Sequence, residues 1–203
     1  MMNFVSDRGP RKAVWGTRIR LALAPFAAAV LLSGCGDYAT NGTGSSYLVI
    51  SSLTGGSGTG SGGIVQSDVV SDDGGIIQDG GQAALTLQMK DVGGAGPSPV
   101  NSITVTQYHV EYIRSDGRNV QGVDVPFAFD GGVTVTVAGA STVPFTLVRA
   151  QAKHEEPLKA LAGHGGAQHI TTVARVTFYG HDQAGRGVSV TGNIEVDFAD
   201  WAG

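Results

Sequence analysis

Along most of the chain, apolar and polar residues alternate one by one, the period of a β-strand with one face in a core and the other in solvent. Leu85, Leu87 and Met89 alternate with Thr86, Gln88 and Lys90. Tyr108, Val110 and Tyr112 alternate with His109 and Glu111, and Val133, Val135 and Val137 with Thr134 and Thr136. Near the end, Ala174, Val176 and Phe178 share one face, residues 181–187 (HDQAGRG) supply a turn, and Val188, Val190, Ile194, Val196 and Phe198 share a face on the return. This predicts a C-terminal β-hairpin. Tyr47–Leu53 (YLVISSL) predicts a first strand, and Ile64–Val70, Val123–Phe129 and Val143–Ala152 are less regular candidates, the last with Pro144 near its start and so at a sheet edge. Only His154–Ala162 (HEEPLKALA) suggests helix, a turn or two of it.

Short strands with one apolar face must cover that face with a second sheet. The expectation is an all-β protein, an antiparallel β-sandwich of roughly seven to nine strands. The stretch Tyr108-His109-Val110-Glu111-Tyr112 followed by Asp116-Gly117, and Ala174–Gly180 (ARVTFYG) leading through residues 182–187 into Val188–Phe198, resemble strands C, F and G of the immunoglobulin-like and fibronectin type III-like domains of bacterial surface proteins. The resemblance implies an Ig-like sandwich. Two antibody hallmarks are missing, since there is no cysteine pair and Trp201 stands at the extreme end.

The start of the chain departs from the alternating pattern. Arg11, Lys12, Arg18 and Arg20 precede Leu21–Leu32 (LALAPFAAAVLL), an uncharged apolar run too short to cross a ~30 Å hydrocarbon core as a helix. A basic segment followed by such a run is the form of a secretory signal. Its end, Leu32-Ser33-Gly34-Cys35, resembles the lipobox of bacterial lipoproteins. That resemblance implies cleavage between Gly34 and Cys35 and attachment of a diacylglycerol to the Cys35 thiol. Each buried CH₂ contributes about 0.8 kcal/mol, so two or three acyl chains tie a protein firmly to a lipid bilayer where one does not. In Gram-negative lipoproteins an Asp directly after the cysteine signals inner-membrane retention; Gly36 stands there, with Asp37 one place further on, which implies the outer membrane. The expected organisation is a cleaved signal helix over 1–34, the lipidated cysteine and a flexible tether over 35–46 (GDYATNGTGSS after Cys35), and the sandwich over 47–203 with a Gly-rich loop at 54–63.

Composition narrows the function classes. The 32 glycines follow no G-X-Y period and are separated by apolar strand-like runs, so they read as turns rather than collagen or general disorder. Cys35 is the only cysteine, so the exported fold holds no internal disulfide. Five of the 13 basic residues but only Asp7 among the acids lie before the cut, leaving 8 basic against 16 acidic residues in the exported part. An acidic surface of that kind repels phosphate backbones, which excludes nucleic acid as a partner.

Candidate chemistry is sparse. His154, His164 and His169 share a segment with Glu155 and Glu156, but their spacing matches no compact zinc pattern and Gly163, Gly165 and Gly166 interrupt it, so solvated loop histidines are the better reading. Asp72-Asp73-Gly74-Gly75 and Asp79-Gly80-Gly81 offer oxygens to calcium but lack the ordered loop with a distal Glu, and Asp-Gly pairs serve turns equally well. His181-Asp182 has no serine in a nucleophile setting beside it. Residues 54–63 lack the Lys-Ser/Thr ending of a phosphate loop. Tyr108, Tyr112, Tyr179 and Trp201 would form a sugar-stacking platform if several reached the surface; filling the core is the commoner role of strand aromatics. The expected role is therefore a cofactor-free, non-catalytic binding or assembly module whose partner is another envelope protein or a glycan. The alternatives are a hydrolase acting on envelope polymers or secreted substrates, and a spacer with no specific ligand.

Overall fold

The computed structural model describes residues 44–57, 60–94 and 96–201. Gly34, Cys35 and the signal segment lie outside these residues, as does the tether up to residue 43.

Nine strands form two packed sheets. They are β1 (Ser46–Ser57), β2 (Gly60–Gly62), β3 (Ile64–Asp68), β4 (Asp79–Met89), β5 (Ile103–Ile113), β6 (Phe129–Val137), β7 (Ala140–Val148), β8 (Ile170–Asp182) and β9 (Gly187–Ala199). The first sheet has the order β2-β1-β4-β7 and the second β3-β9-β8-β5-β6. Strands β5, β8 and β9 lie side by side in the second sheet. The three stretches that resemble C, F and G are thus neighbours in one sheet.

The pairing is not wholly antiparallel. After β2 the chain crosses to the second sheet, and β3 runs alongside β9 in the same direction, from Ile64↔Glu195 to Asp68↔Ala199. The glycine-rich segment 54–63 is not a loop excursion either. Thr54–Ser57 continues β1, and Gly60–Gly62 folds back on it as β2. Glycine is required there by close approach: a Cβ on Gly55 would overlap Val65, and one on Gly81 would overlap the Phe145 ring. Val123–Phe129 joins no sheet before its last residue, because Pro126 has no N–H to give a ladder. The strand expected over Val143–Ala152 ends at Val148 and gives way to a single helical turn, α1 (Ala150–Lys153). Within 154–162 only Leu158–Leu161 is helical, as a 3₁₀ turn, because Pro157 cannot continue the helical hydrogen bonds.

Inward positions of both sheets fill one core. Ala83, Leu85 and Leu87 of β4 and Val143, Phe145 and Leu147 of β7 face Val110 of β5, Val176 and Phe178 of β8, and Val196 and Phe198 of β9. Tyr108 and Tyr112 of β5 bridge the layers. Tyr108 packs edge-on against Phe145 with ring centroids 5.8 Å apart, and its hydroxyl accepts from the Thr146 N–H at 3.1 Å. The Tyr112 hydroxyl donates to the Leu147 carbonyl at 2.6 Å, and burial pushes its ionisation well above the usual phenol range. Both tyrosines of β5 therefore bind the backbone of β7 in the first sheet.

Ser45 Oγ donates to Asn101 Oδ1 at 3.2 Å and Ser46 Oγ to the Asn101 carbonyl at 2.9 Å, so the chain enters the sandwich beside the loops 90–102 and 183–186. Loops 69–78, 114–128 and 149–169 lie at the far end.

A buried ionic cluster closes that far end. Lys153, only 2% exposed, donates to the carbonyls of Asp68 and Ile77, each at 2.7 Å, and its ammonium lies 3.1 Å from Asp79 Oδ2. Ser67 Oγ donates to the same carboxylate oxygen at 2.5 Å. Burial raises the Asp79 carboxyl above its usual range despite the opposing pull of Lys153 and the Ser67 hydroxyl. The cluster joins β3 of one sheet, β4 of the other and α1. Removing one partner of such a pair strands the other charge in the core, so Lys153→Met is expected to lower unfolding free energy by about 3–5 kcal/mol in urea titrations, with Lys153→Met/Asp79→Leu recovering much of the loss. A Lys153→Met protein as stable as the parent would show the cluster to be dispensable.

Candidate functional site

Ser67, Asp79 and Lys153 are residue types that elsewhere make a nucleophile, an orienting acid and a base. Here they are sealed in: all three are buried, the ammonium is engaged by three acceptors and the serine hydroxyl by Asp79. A substrate carbonyl has no approach to the serine, so this is a structural cluster.

Sequence-flagged residues do not converge. Tyr108 and Tyr112 are core residues, Tyr179 lies exposed on the outer face of β8, and Trp201 sits by the far-end loops, its backbone N–H donating to Asp68 Oδ1 at 3.0 Å. They make no common stacking platform. His154, His164 and His169 are exposed, and no group of three His, Cys, Asp or Glu side chains among the described residues is placed to hold a metal. Asp73 accepts the Gly75 N–H at 2.9 Å and so closes its own turn, while Asp79 is committed to Lys153. Asp182 is buried and accepts the N–H groups of Ala184 and Arg186, each at 2.9 Å, which fixes the β8–β9 turn. Its work is to hold that turn, with neighbouring His181 pointing to solvent.

The outer face of the second sheet is polar and internally matched. Arg175 meets Glu111 at 2.9 Å across β8 and β5, and His109 meets Asp130 at 2.8 Å across β5 and β6. Thr177 and Thr191 bond at 2.9 Å, and Thr171 donates to Asp197 at 2.9 Å. Cross-strand pairs of this kind stabilise the sheet surface and leave few groups aimed at a ligand.

The loop 114–128 between β5 and β6 is different. It is built as an ordered unit: Asp116 accepts from the guanidinium groups of Arg114 and Arg118, each as close as 2.7–2.8 Å, and these contacts hold its carboxyl well below the usual carboxylate range. Asn119 Oδ1 accepts the Arg114 N–H at 2.7 Å, Asp124 Oδ2 the Val120 N–H at 3.1 Å, and Gln121 Oε1 the Ala128 N–H at 3.2 Å. Gly122 has φ +75°, and the Phe127 ring lies over it where any Cβ would stand. Val125 and Pro126 turn inward, while Val120, Val123 and Phe127 remain 61%, 66% and 45% exposed. The loop is thus internally hydrogen-bonded and leaves three large apolar side chains partly in water.

Sequence reasoning took part of this segment for a strand and so missed it. The Val-Gln-Gly-Val-Asp-Val-Pro-Phe order over 120–127 carried a signal: Gly122 and Pro126 break an alternation whose apolar residues then have no single face to share.

No protein-family model matches the chain, and no curated protein matches it.

Gly122→Ala is expected to unseat Phe127 and strain the backbone, since L-residues disfavour positive φ. Amide hydrogen exchange should then quicken over residues 120–128 while the amides of β5 and β8 keep their protection. Unchanged exchange across the loop would contradict this account of its order.

Proposed function

We propose that this chain is exported, acylated on Cys35 and held at the bacterial outer membrane as a non-catalytic binding or assembly module. The observation that carries the reading is Leu32-Ser33-Gly34-Cys35 closing a basic and then apolar start, with the cysteine unique in the chain. Two acyl chains on that sulfur give an anchor strong enough to be lasting. The binding role is supported by the loop 114–128, which keeps Val120, Val123 and Phe127 in solvent on a rigid support. The partner of such a surface is an envelope protein or glycan with an apolar patch of its own. Against the hydrolase reading stands the dispersal of the histidines and carboxylates: among the described residues no nucleophile and base come together beside an open pocket.

Cys35→Ser is expected to abolish incorporation of labelled palmitate and release the protein from the membrane fraction, with the β-sheet circular dichroism unchanged because the sandwich core is built from Leu48 to Phe198. Label entering the variant would refute the anchor. For the loop, replacing Val120, Val123 and Phe127 together by serine should remove the partner recovered when the detergent-solubilised protein is cross-linked in envelopes; the same partner at the same yield would place binding elsewhere.

A further inference from the structure

The outer faces of the two sheets differ in charge. On the second sheet, outward positions carry Glu111, Asp130, Arg175, Glu195 and Asp197. On the first, strands β1, β4 and β7 contain one charged residue among them, Asp79, and its side chain is buried. The outward residues there include Tyr47, Val49, Gln82, Ala84, Thr142 and Pro144. In an exported part with 8 basic and 16 acidic residues, this is the face on which two copies meet least like-charge repulsion.

The same face has a projection at one end and a hollow at the other. Tyr47, opposite Gln88 where the chain enters, is 43% exposed. Where Gly56 pairs with Gly80, the missing side chains leave a depression of about 400 Å³ bordered by Thr54, Gln82 and Pro144. Tyr47 and Thr54 stand on one strand, roughly 23 Å apart at the usual rise. A twofold axis in the plane of the face and perpendicular to the strands sets two copies antiparallel, and it carries each Tyr47 over the hollow of the other copy. The ring would then lie against Pro144, with its hydroxyl near the Gln82 amide.

We propose that the outer face of the β1-β4-β7 sheet is a homodimer interface in which Tyr47 of each copy fills the glycine-lined hollow of the other. Three strands of about ten residues give roughly 500 Å² of flat area per copy, about 1,000 Å² for the pair, which meets the lower limit of specific interfaces. The dimer is accordingly a moderate one, dependent on its central aromatic contact. Chain geometry agrees with a shared membrane: residues 36–45 reach at most about 36 Å when extended, so both anchors of a pair whose strands lie along the bilayer reach one leaflet.

The test is sedimentation equilibrium of the full chain in density-matched detergent, which reads self-association whether or not Cys35 is acylated. Wild type is expected to show a monomer–dimer equilibrium, and Tyr47→Ala and Gly80→Val each to weaken it about tenfold or more, as loss of a central aromatic contact does. Gly80→Val fills the hollow without disturbing the fold, since a Cβ there has nothing nearer than the Phe145 carbonyl oxygen at 4.0 Å. Tyr179→Ala, on the outer face of the other sheet and 41% exposed, should leave the equilibrium unchanged. A protein that stays monomeric at about 100 µM, well above a micromolar dissociation constant, overturns the proposal. So does a dimer indifferent to both Tyr47→Ala and Gly80→Val, or one broken by Tyr179→Ala.

Discussion

The ammonium of Lys153 sits in the seam between the two sheets, surrounded by the carbonyls of Asp68 and Ile77 and by the Asp79 carboxylate, which also receives the Ser67 hydroxyl. A charge in that position is tolerated only because each of its hydrogens meets an oxygen, one from the end of β3 and two from the run into β4. The end of β3, the start of β4 and α1 must therefore arrive together. The chain passes from the second sheet back to the first between β3 and β4, and the cluster holds the two ends of that switch together. With Tyr108 and Tyr112 binding β7 from the opposite sheet, the two layers are tied by directional bonds as well as by apolar burial.

A body fixed in this way can afford surfaces of unlike character. One sheet spends its outward charges on cross-strand pairs, Arg175 with Glu111 and His109 with Asp130, so that face is polar but already matched. The other sheet presents hydroxyls, amides and small apolar groups without charge. At the far end the β5–β6 loop projects valines and a phenylalanine from a scaffold of Asp, Asn and Gln side chains bonded to backbone N–H groups. The molecule thus carries three unlike surfaces on one body: a charge-matched face, an uncharged face and an apolar loop.

Much of the sandwich was legible because alternation is a local signal. The faces of β4, β5, β6 and the β8–β9 hairpin follow directly from residues such as Leu85, Tyr108, Val135 and Phe178, and the edge position of β7 from Pro144. What stayed hidden depends on contacts distant in sequence. Glycines at 55 and 81 look like linker and turn residues until Val65, Leu147 and Phe145 are seen packed on them. Lys153 lies in a stretch that reads as polar loop, and its partners at 68, 77 and 79 are more than seventy residues away. The parallel β3–β9 pair is likewise set by the sheet switch, which leaves no periodic trace. The candidate contact loop was misread for a related reason: Val123, Val125 and Phe127 alternate like a strand, while Gly122 at positive φ and Pro126 turn the backbone into a compact loop.

The central claim is chemical: a β-sandwich is held at a membrane by lipid on the sulfur that begins its exported chain. Mass spectrometry of the N-terminal peptide from native membranes tests it most directly. The account predicts a mature chain starting at Cys35 that carries a diacylglycerol thioether. A peptide running unbroken through Gly34-Cys35, or an unmodified cysteine thiol at a terminus, would contradict it.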